Sequence, residues 1–272
     1  MASLYQTLYP MKFLRDYLTQ EIRPDGREFL NYRPVNVNVS SITKADASAI
    51  YKIGNTKVVC GIKAELAEPK SETPDCGYLI PNVGLTPLCS SKYRPGPPSE
   101  NAQTATKIID DILNHSQAID LRELCICKNK LAWVLYCDLE CIDCDGSLID
   151  ACIGALMAAL STLTLPEINY NPEAKTTVVH PSNRHQLTLK CLLSSNTFAI
   201  YDDELILADP TEEEEALSLS RITIVINENG ICFVHKPGGR PISQQLLMLC
   251  IDQSKKRSEK ICNLIKTAVA DL

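Results

Sequence analysis

The chain has 272 residues, 45% apolar and 22% charged, with a formal net charge of −6. These proportions belong to an ordinary globular protein with one large core or two small ones sharing a core, and the acidic balance excludes binding of nucleic acid through a broadly basic face. The longest apolar run, 151–160, falls far short of the ~18 residues of a membrane span.

Residues 1–17 mix Lys12, Arg15 and Asp16 into an amphipathic pattern, not the basic start and apolar run of a secretory leader. The 13 cysteines are therefore expected to be free thiols in a reducing, intracellular compartment. A short helix is expected over 10–20, with Met11, Leu14 and Leu18 on one stripe. Arg23-Pro24-Asp25-Gly26-Arg27 then reads as a turn. From 33 to 67 the period becomes two: Val35, Val37 and Val39 alternate with polar residues, and Ala49, Tyr51 and Ile53 lead through Gly54-Asn55 into a second run from Lys57 to Leu66. Residues 68–100, with Pro-Gly-Pro-Pro at 95–98, read as a long irregular excursion with at most a short strand near 78–83.

Helical spacing returns over 101–115 through Ala105, Ile108, Ile109 and Ile112. A long strand at 131–142, an Asp145-Gly146 turn and a nearly all-apolar helix at 147–163 follow, and Pro166 is expected to end that unit. The remainder up to 186 reads as a connector with a weak strand at 176–180. Further strands are expected near 187–193, 197–201 and 204–208. An acidic helical turn at 212–215 comes next, then a hairpin of 219–227 and 231–236 across Asn227-Glu228-Asn229-Gly230, then a closing helix over 242–269. The strand and helix order repeats. The expected architecture is α/β (α+β), with two related βαβα lobes, 31–185 and 186–272, behind an N-terminal helix and turn, 1–30.

The segment 131–160 carries the most chemistry. A strand that feeds a glycine turn and a helix N-terminus suits an anion, because unpaired backbone N–H groups and the helix dipole both favour one. Here Asp143, Asp145 and Asp150 surround the turn and no basic residue does. Cys141-Ile-Asp-Cys144 lacks the second pair that four zinc ligands would need. Strand alternation places Cys137 and Cys141 on one face and Cys144 on the other, and the neighbouring aspartate should raise the Cys144 pKa. Buried thiols acting as small hydrophobes are expected there. His115, His180, His185 and His235 have no neighbour at metal-ligand spacing. His235-Lys236-Pro-Gly-Gly-Arg240 is a basic turn that could touch a phosphate, though it reads first as a plain turn. The acids at 212–215 read as a solvated helix face. No metal or cofactor is expected.

Arg23-Pro-Asp-Gly-Arg27, Gly54-Asn-Thr-Lys-Val-Val-Cys-Gly61, Asp143-Cys-Asp-Gly-Ser-Leu-Ile-Asp-Ala151 and Asp209-Pro-Thr-Glu-Glu-Glu-Glu215, in that order and spacing, resemble the RNase PH family. Pro87-Leu-Cys-Ser-Ser-Lys-Tyr-Arg-Pro-Gly-Pro-Pro98, Lys130-Leu-Ala-Trp-Val-Leu-Tyr-Cys-Asp138 and His235-Lys-Pro-Gly-Gly239 narrow the likeness to the non-catalytic branch found in RNA exosome rings. The resemblance implies an RNase PH-like fold (ribosomal protein S5 domain 2-like) and a hexameric ring of same-fold subunits with RNA through its central channel. It further implies S1/KH-type cap subunits and associated exoribonucleases as partners, and residence in nucleus, nucleolus and cytoplasm. Active members are phosphorolytic 3′-to-5′ exoribonucleases. They hold inorganic phosphate with a small residue, a Ser or Thr and an Arg at the N-terminus of the helix after the long strand, and use a carboxylate in the second lobe. Aligned on Asp145 and Ala151, the hydroxyl position here is Leu148 and the arginine position Ile149, and Asp150 adds negative charge. Residues 216–226 hold no acid. What the resemblance implies is thus a catalytically silent ring subunit that supports RNA processing and degradation, rRNA maturation and mRNA turnover included. Lys92 and Arg94 in the Pro-rich excursion are the candidate contacts to RNA phosphates. An active phosphorolytic exoribonuclease and a thiol or metal protein are the rival readings.

Overall fold

The computed structural model describes residues 2–171, 176–201 and 205–272. Two helices open the chain, α1 (Ala2–Leu8) and α2 (Pro10–Leu18), with Pro10 at a helix start where its missing N–H is harmless. The first lobe follows as β1 (Val35–Val39), β2 (Ala47–Ile53), β3 (Thr56–Ala67), β4 (Tyr78–Leu85), α3 (Glu100–Ser116), β5 (Cys125–Cys127), β6 (Leu131–Asp143) and α4 (Leu148–Ser161). A hairpin of β7 (Thr164–Asn171) and β8 (Thr176–Gln186) leads to the second lobe. That lobe comprises β9 (Ser194–Ile200), β10 (Ile206–Ala208), α5 (Glu212–Leu217), β11 (Ser220–Asn227), β12 (Gly230–His235) and α6 (Gln244–Ala270).

The first sheet has the order β1-β2-β3-β6-β4, with β5 added to β6; β4 runs parallel to β6 and the other pairs are antiparallel. The second is antiparallel, β10-β9-β11-β12. Helix α4 rests on β2 and β3 with one face and on β9 with the other. This sandwiching explains a helix whose residues from Asp150 to Leu160 are all buried. Gly154 is the point of closest approach: a Cβ there would penetrate the Tyr51 ring. Gly154→Ala is therefore expected to lose about 1–3 kcal/mol by overpacking, where an exposed helical site would gain about 1 kcal/mol from the same change. Thermal denaturation of the two proteins gives the sign.

Several elements differ from the sequence expectation. Pro166 does not end a unit but lies inside β7, directly before a register shift, where a missing N–H does not break the ladder. The expected connector is largely the β7–β8 hairpin, and its residues 172–175 lie outside the described residues. Residues 187–193 are not a strand: Leu187 N–H bonds the Leu163 carbonyl and Leu189 makes one bridge to Ile119. The strand expected over 197–201 begins earlier, and its polar start, Ser194-Ser195-Asn196, is wholly buried between layers. Residue 204 of the expected strand 204–208 also lies outside the described residues. Helix α1 and strand β5 carry too little periodicity to be read from the chain.

The Arg23–Arg27 motif ties the N-terminal segment to the second lobe. Arg23 is fully buried and pairs one guanidinium edge with both oxygens of Glu214, its Nε donating to Oε1 at 2.9 Å and its Nη2 to Oε2. It also donates to the Ala208 carbonyl at 2.7 Å and the Asp209 carbonyl at 3.0 Å. Arg33 adds a two-pronged pair with Asp209, Nε to Oδ2 at 3.0 Å and Nη2 to Oδ1 at 2.6 Å, and donates through Nη1 to the Asp145 carbonyl at 2.6 Å. Burial alone would raise the Asp209 pKa. The Arg33 hydrogen bonds and charge outweigh it and hold the carboxyl below its ordinary range. These arginines are structural clamps that lock the turn before α4 onto the acidic segment of the other lobe.

Candidate functional site at the junction of the lobes

The turn between β6 and α4 is fixed from three sides. Thr56 Oγ1 accepts the Asp145 N–H at 3.0 Å and donates to the Gly146 carbonyl at 2.7 Å. Asn55 reaches the Asp145 carboxylate at 3.2 Å. Gly146 has φ +76°, and a side chain there would meet the backbone at Pro210 and Thr211, so only glycine fits. Ser147, at φ 52°, begins α4 without a side-chain cap. Its hydroxyl donates instead to the Pro210 carbonyl at 3.2 Å.

In front of this helix end lies a cleft of 390 Å³ shared by both lobes. Its walls include Leu148 and Ile149 of α4, Lys92 and Tyr93 of the Pro-rich excursion, and Arg221 and His235 of the second sheet. The helix N-terminus is already occupied by an anion of the protein itself. Glu215 Oε1 accepts the Ser147 N–H at 2.6 Å, and Glu215 Oε2 accepts from Arg221 Nη1 at 2.7 Å. Burial raises the Glu215 pKa against these two contacts. Lys92 is likewise engaged, its Nζ lying 2.6 Å from Glu212 Oε1. Burial first, and then the Arg221 charge, lower the His235 pKa. The cleft thus pairs its cations with its own carboxylates and presents aliphatic side chains at the helix end.

The sequence-predicted residues separate on folding. Leu148 and Ile149 line the cleft, as does Lys92, while Arg94 is exposed outside the cleft lining. Asp150 corrects the expectation of a charge beside the helix end. It points away from the cleft into the core, where Oδ1 accepts from Ser195 Oγ at 2.5 Å and Thr197 Oγ1 at 3.0 Å, and Oδ2 from Thr197 N–H at 2.7 Å. Burial lifts its pKa to about 7, with the Ser195 and Thr197 hydrogen bonds opposing. The acid that faces the helix N-terminus is Glu215, and the run at 212–215 is not a solvated face: Glu214 is buried on Arg23 and Glu215 bonds across the lobes. The capping-box spacing Thr211-x-x-Glu214, which the structure forms, is the signal that could have placed Glu214 in a helix start; nothing local marks Glu215 or Arg221. In the basic turn after β12, Lys236 folds back on the Gly238 carbonyl at 2.7 Å.

All 13 cysteines are free. The alternation expected from Cys141 to Cys144 is interrupted by a register shift, with Val58 opposite Cys141 and Lys57 opposite Asp143, and the Cys141 thiol donates to the Asp143 carbonyl at 3.3 Å. The neighbouring Cys141 thiol lowers the Cys144 pKa, where the adjacent aspartate was expected to raise it. Among the described residues, no group of three or more His, Cys, Asp or Glu side chains is placed to hold a metal ion.

Comparison with known proteins agrees with this architecture. The family model for domain 1 of the 3′ exoribonuclease family, RNase PH, matches residues 31–166, and that for domain 2 matches residues 191–257. The chain is 39% identical over 256 residues to the exosome complex component rrp43 of Schizosaccharomyces pombe, covering 94% of each chain. It is 37% identical over 262 residues to the exosome complex component Rrp42 of Pyrococcus furiosus, again covering 94% of each. Among solved structures, a chain of the Archaeoglobus fulgidus exosome with RNA bound to the active site superposes with TM-score 0.82 at 30% identity, covering 93% of this chain and 96% of that one.

Proposed function

The chain belongs to the RNase PH family of 3′ exoribonucleases, and from that membership we propose that it is a non-catalytic subunit of an exosome-type ring. In this reading it supports 3′-to-5′ RNA processing and degradation by completing the ring and the RNA channel, not by cleaving RNA. One observation carries the loss of chemistry: the Glu215 carboxylate sits on the α4 N-terminus and holds Arg221. An incoming phosphate dianion would have to displace a bonded carboxylate, and Leu148 and Ile149 offer it neither hydroxyl nor guanidinium in return. Ring partners and RNA are supported by what the related chains are: exosome components, and a subunit of an RNA-bound exosome. Cap subunits, associated exoribonucleases and residence in nucleus, nucleolus and cytoplasm belong to the same proposal.

Two experiments test it. The full chain, incubated with oligo(A) and inorganic phosphate, should release no nucleoside diphosphate; phosphate-dependent release would overturn the non-catalytic assignment. Purified from its native cell, the chain should travel with several same-fold subunits at equal stoichiometry, and a stable monomer would overturn ring membership. If Lys92 and Arg94 touch RNA phosphates, Arg94→Ala in the assembled ring should flatten the plot of log affinity against log salt by about 0.7 for single-stranded RNA, equally for all sequences. Lys92→Ala should flatten it less, because Glu212 already neutralises part of that charge. Binding isotherms at four salt concentrations read both, and unchanged slopes would remove the two residues from the RNA path.

A further inference from the structure

We propose that an ordered water molecule is built into the second lobe between β9 and α6, held by Ser194, Asn196 and Ser254. This site is independent of the ring role proposed above. Strand β9 lies between two helices, α4 on one face and α6 on the other. Ser195 and Thr197 turn towards α4, where they bond Asp150. Strand alternation sends Ser194, Asn196, Phe198 and Ile200 to the opposite face. There Phe198 and Ile200 share one apolar cluster with Ile224 and Ile226 of β11 and Cys250 of α6.

Ser254 follows Cys250 by one helical turn, on the same buried stripe of α6. The register of β9 on β11 places Ser194 opposite Ile226 and Asn196 opposite Ile224. Ile226 in turn lines one pocket with Ser258, a further turn along α6. The polar start of β9 and Ser254 therefore meet across a single layer that is otherwise apolar.

This layer gives its polar groups nothing else to bond. Ser194 and Asn196 are 2% exposed and Ser254 is 0% exposed. Among the described residues, Ser194 Oγ, Asn196 Nδ2 and Ser254 Oγ are buried atoms with no hydrogen-bond partner in the protein. The Ser258 hydroxyl differs, lying 3.9 Å from the Cys262 thiol. A buried polar group left unmade bears its full desolvation cost. One water removes that cost at three groups together, since a buried water makes about three hydrogen bonds to such groups. Asn196 Nδ2 donates to the water oxygen, and the two water O–H groups donate to Ser194 Oγ and Ser254 Oγ. The polar run that starts β9 thus serves both layers: Ser195 and Thr197 hold a carboxyl, Ser194 and Asn196 a water.

The test uses the full chain. A high-resolution crystal structure should show one water within hydrogen-bond distance of Ser194 Oγ, Asn196 Nδ2 and Ser254 Oγ. In urea unfolding, Ser194→Ala should lower the folding constant about fivefold, the worth of one hydrogen bond. Ser254→Ala should lower it less, because alanine is the better helix former. The double variant should lose less than the product of the two single losses, because both hydroxyls hold the same water. Far-UV circular dichroism confirms that each variant is folded. A rise in the folding constant for Ser194→Ala would mean a dry layer relieved of an unpaired hydroxyl, and would overturn the proposal. So would single losses that multiply in full, or a crystal structure with Ser254 Oγ turned onto the Cys250 carbonyl and no water beside it.

Discussion

Replacing Arg23 by alanine should destabilise the folded chain by about 3–5 kcal/mol, the range for removing one partner of a buried ion pair. Arg23 is fully buried, holds both oxygens of Glu214 and donates to two backbone carbonyls. Its loss leaves Glu214, also buried, without a counter-ion, and leaves the Ala208 carbonyl short of a donor. Arg23→Lys should rescue little, because a single ammonium cannot serve a carboxylate edge and two carbonyls at once. The double replacement Arg23→Met with Glu214→Leu should return most of the stability, since the cost lies in the orphaned charge more than in the missing pair. Urea unfolding followed by circular dichroism and by the fluorescence of Trp133, the single tryptophan, measures all three. A loss below about 1 kcal/mol for Arg23→Ala would mean that the pair behaves like a surface salt bridge and clamps nothing.

Asp150 gives the second large effect, and it is a pH effect. Its carboxyl titrates at about 7 in the folded chain and near its ordinary 3.8 when unfolded. Between those values the folded chain holds a proton that the unfolded chain has lost. The contribution of Asp150 to stability therefore falls as pH rises through that interval and is flat above it, a change on the order of 4 kcal/mol. Asp209 works in the opposite sense: its pKa is depressed, so its stabilising contribution is present above the unfolded value and is lost as pH falls through the folded one. The comparison of wild type with Asp150→Asn isolates the Asp150 part. An amide oxygen can accept the Thr197 N–H and its NH2 can donate to the Ser195 and Thr197 hydroxyl oxygens, so the uncharged variant keeps the partners that the protonated acid has. The variant should match wild type near pH 4 and exceed it at pH 8. Parallel stability curves for the two proteins across this range would show that folding leaves the Asp150 pKa where it is in the unfolded chain.

The sequence by itself determined a good deal. Alternation placed β1, β2 and β3, helical spacing placed α3, and length with apolarity placed β6, α4 and the closing helix, because each of these segments carries its own period. The motifs beginning at Arg23, Asp143 and Asp209 identified the family, and the substitutions Leu148 and Ile149 at the helix start were legible one residue at a time. Where the period is masked, local reading failed. Ser194 to Asn196 fall between the expected strands because they are polar, yet with Thr197 they form the buried start of β9, whose polar groups meet Asp150 from another element. Pro166 looks like a terminus because the register shift that tolerates it is a property of two strands.

Only the tertiary structure decided which charge faces the α4 N-terminus. Asp150 is the nearer acid in sequence, but a residue in the first turn of a helix packed on both sides has its direction set by the layer it meets, here β9. Glu215, 68 residues after Ser147, fills the position because the Arg23 and Arg33 clamps draw the acidic segment of the second lobe against that turn. Electrostatics at a helix end fall off within one turn. The outcome therefore depends on ångström-scale placement between two lobes, which no spacing along the chain encodes.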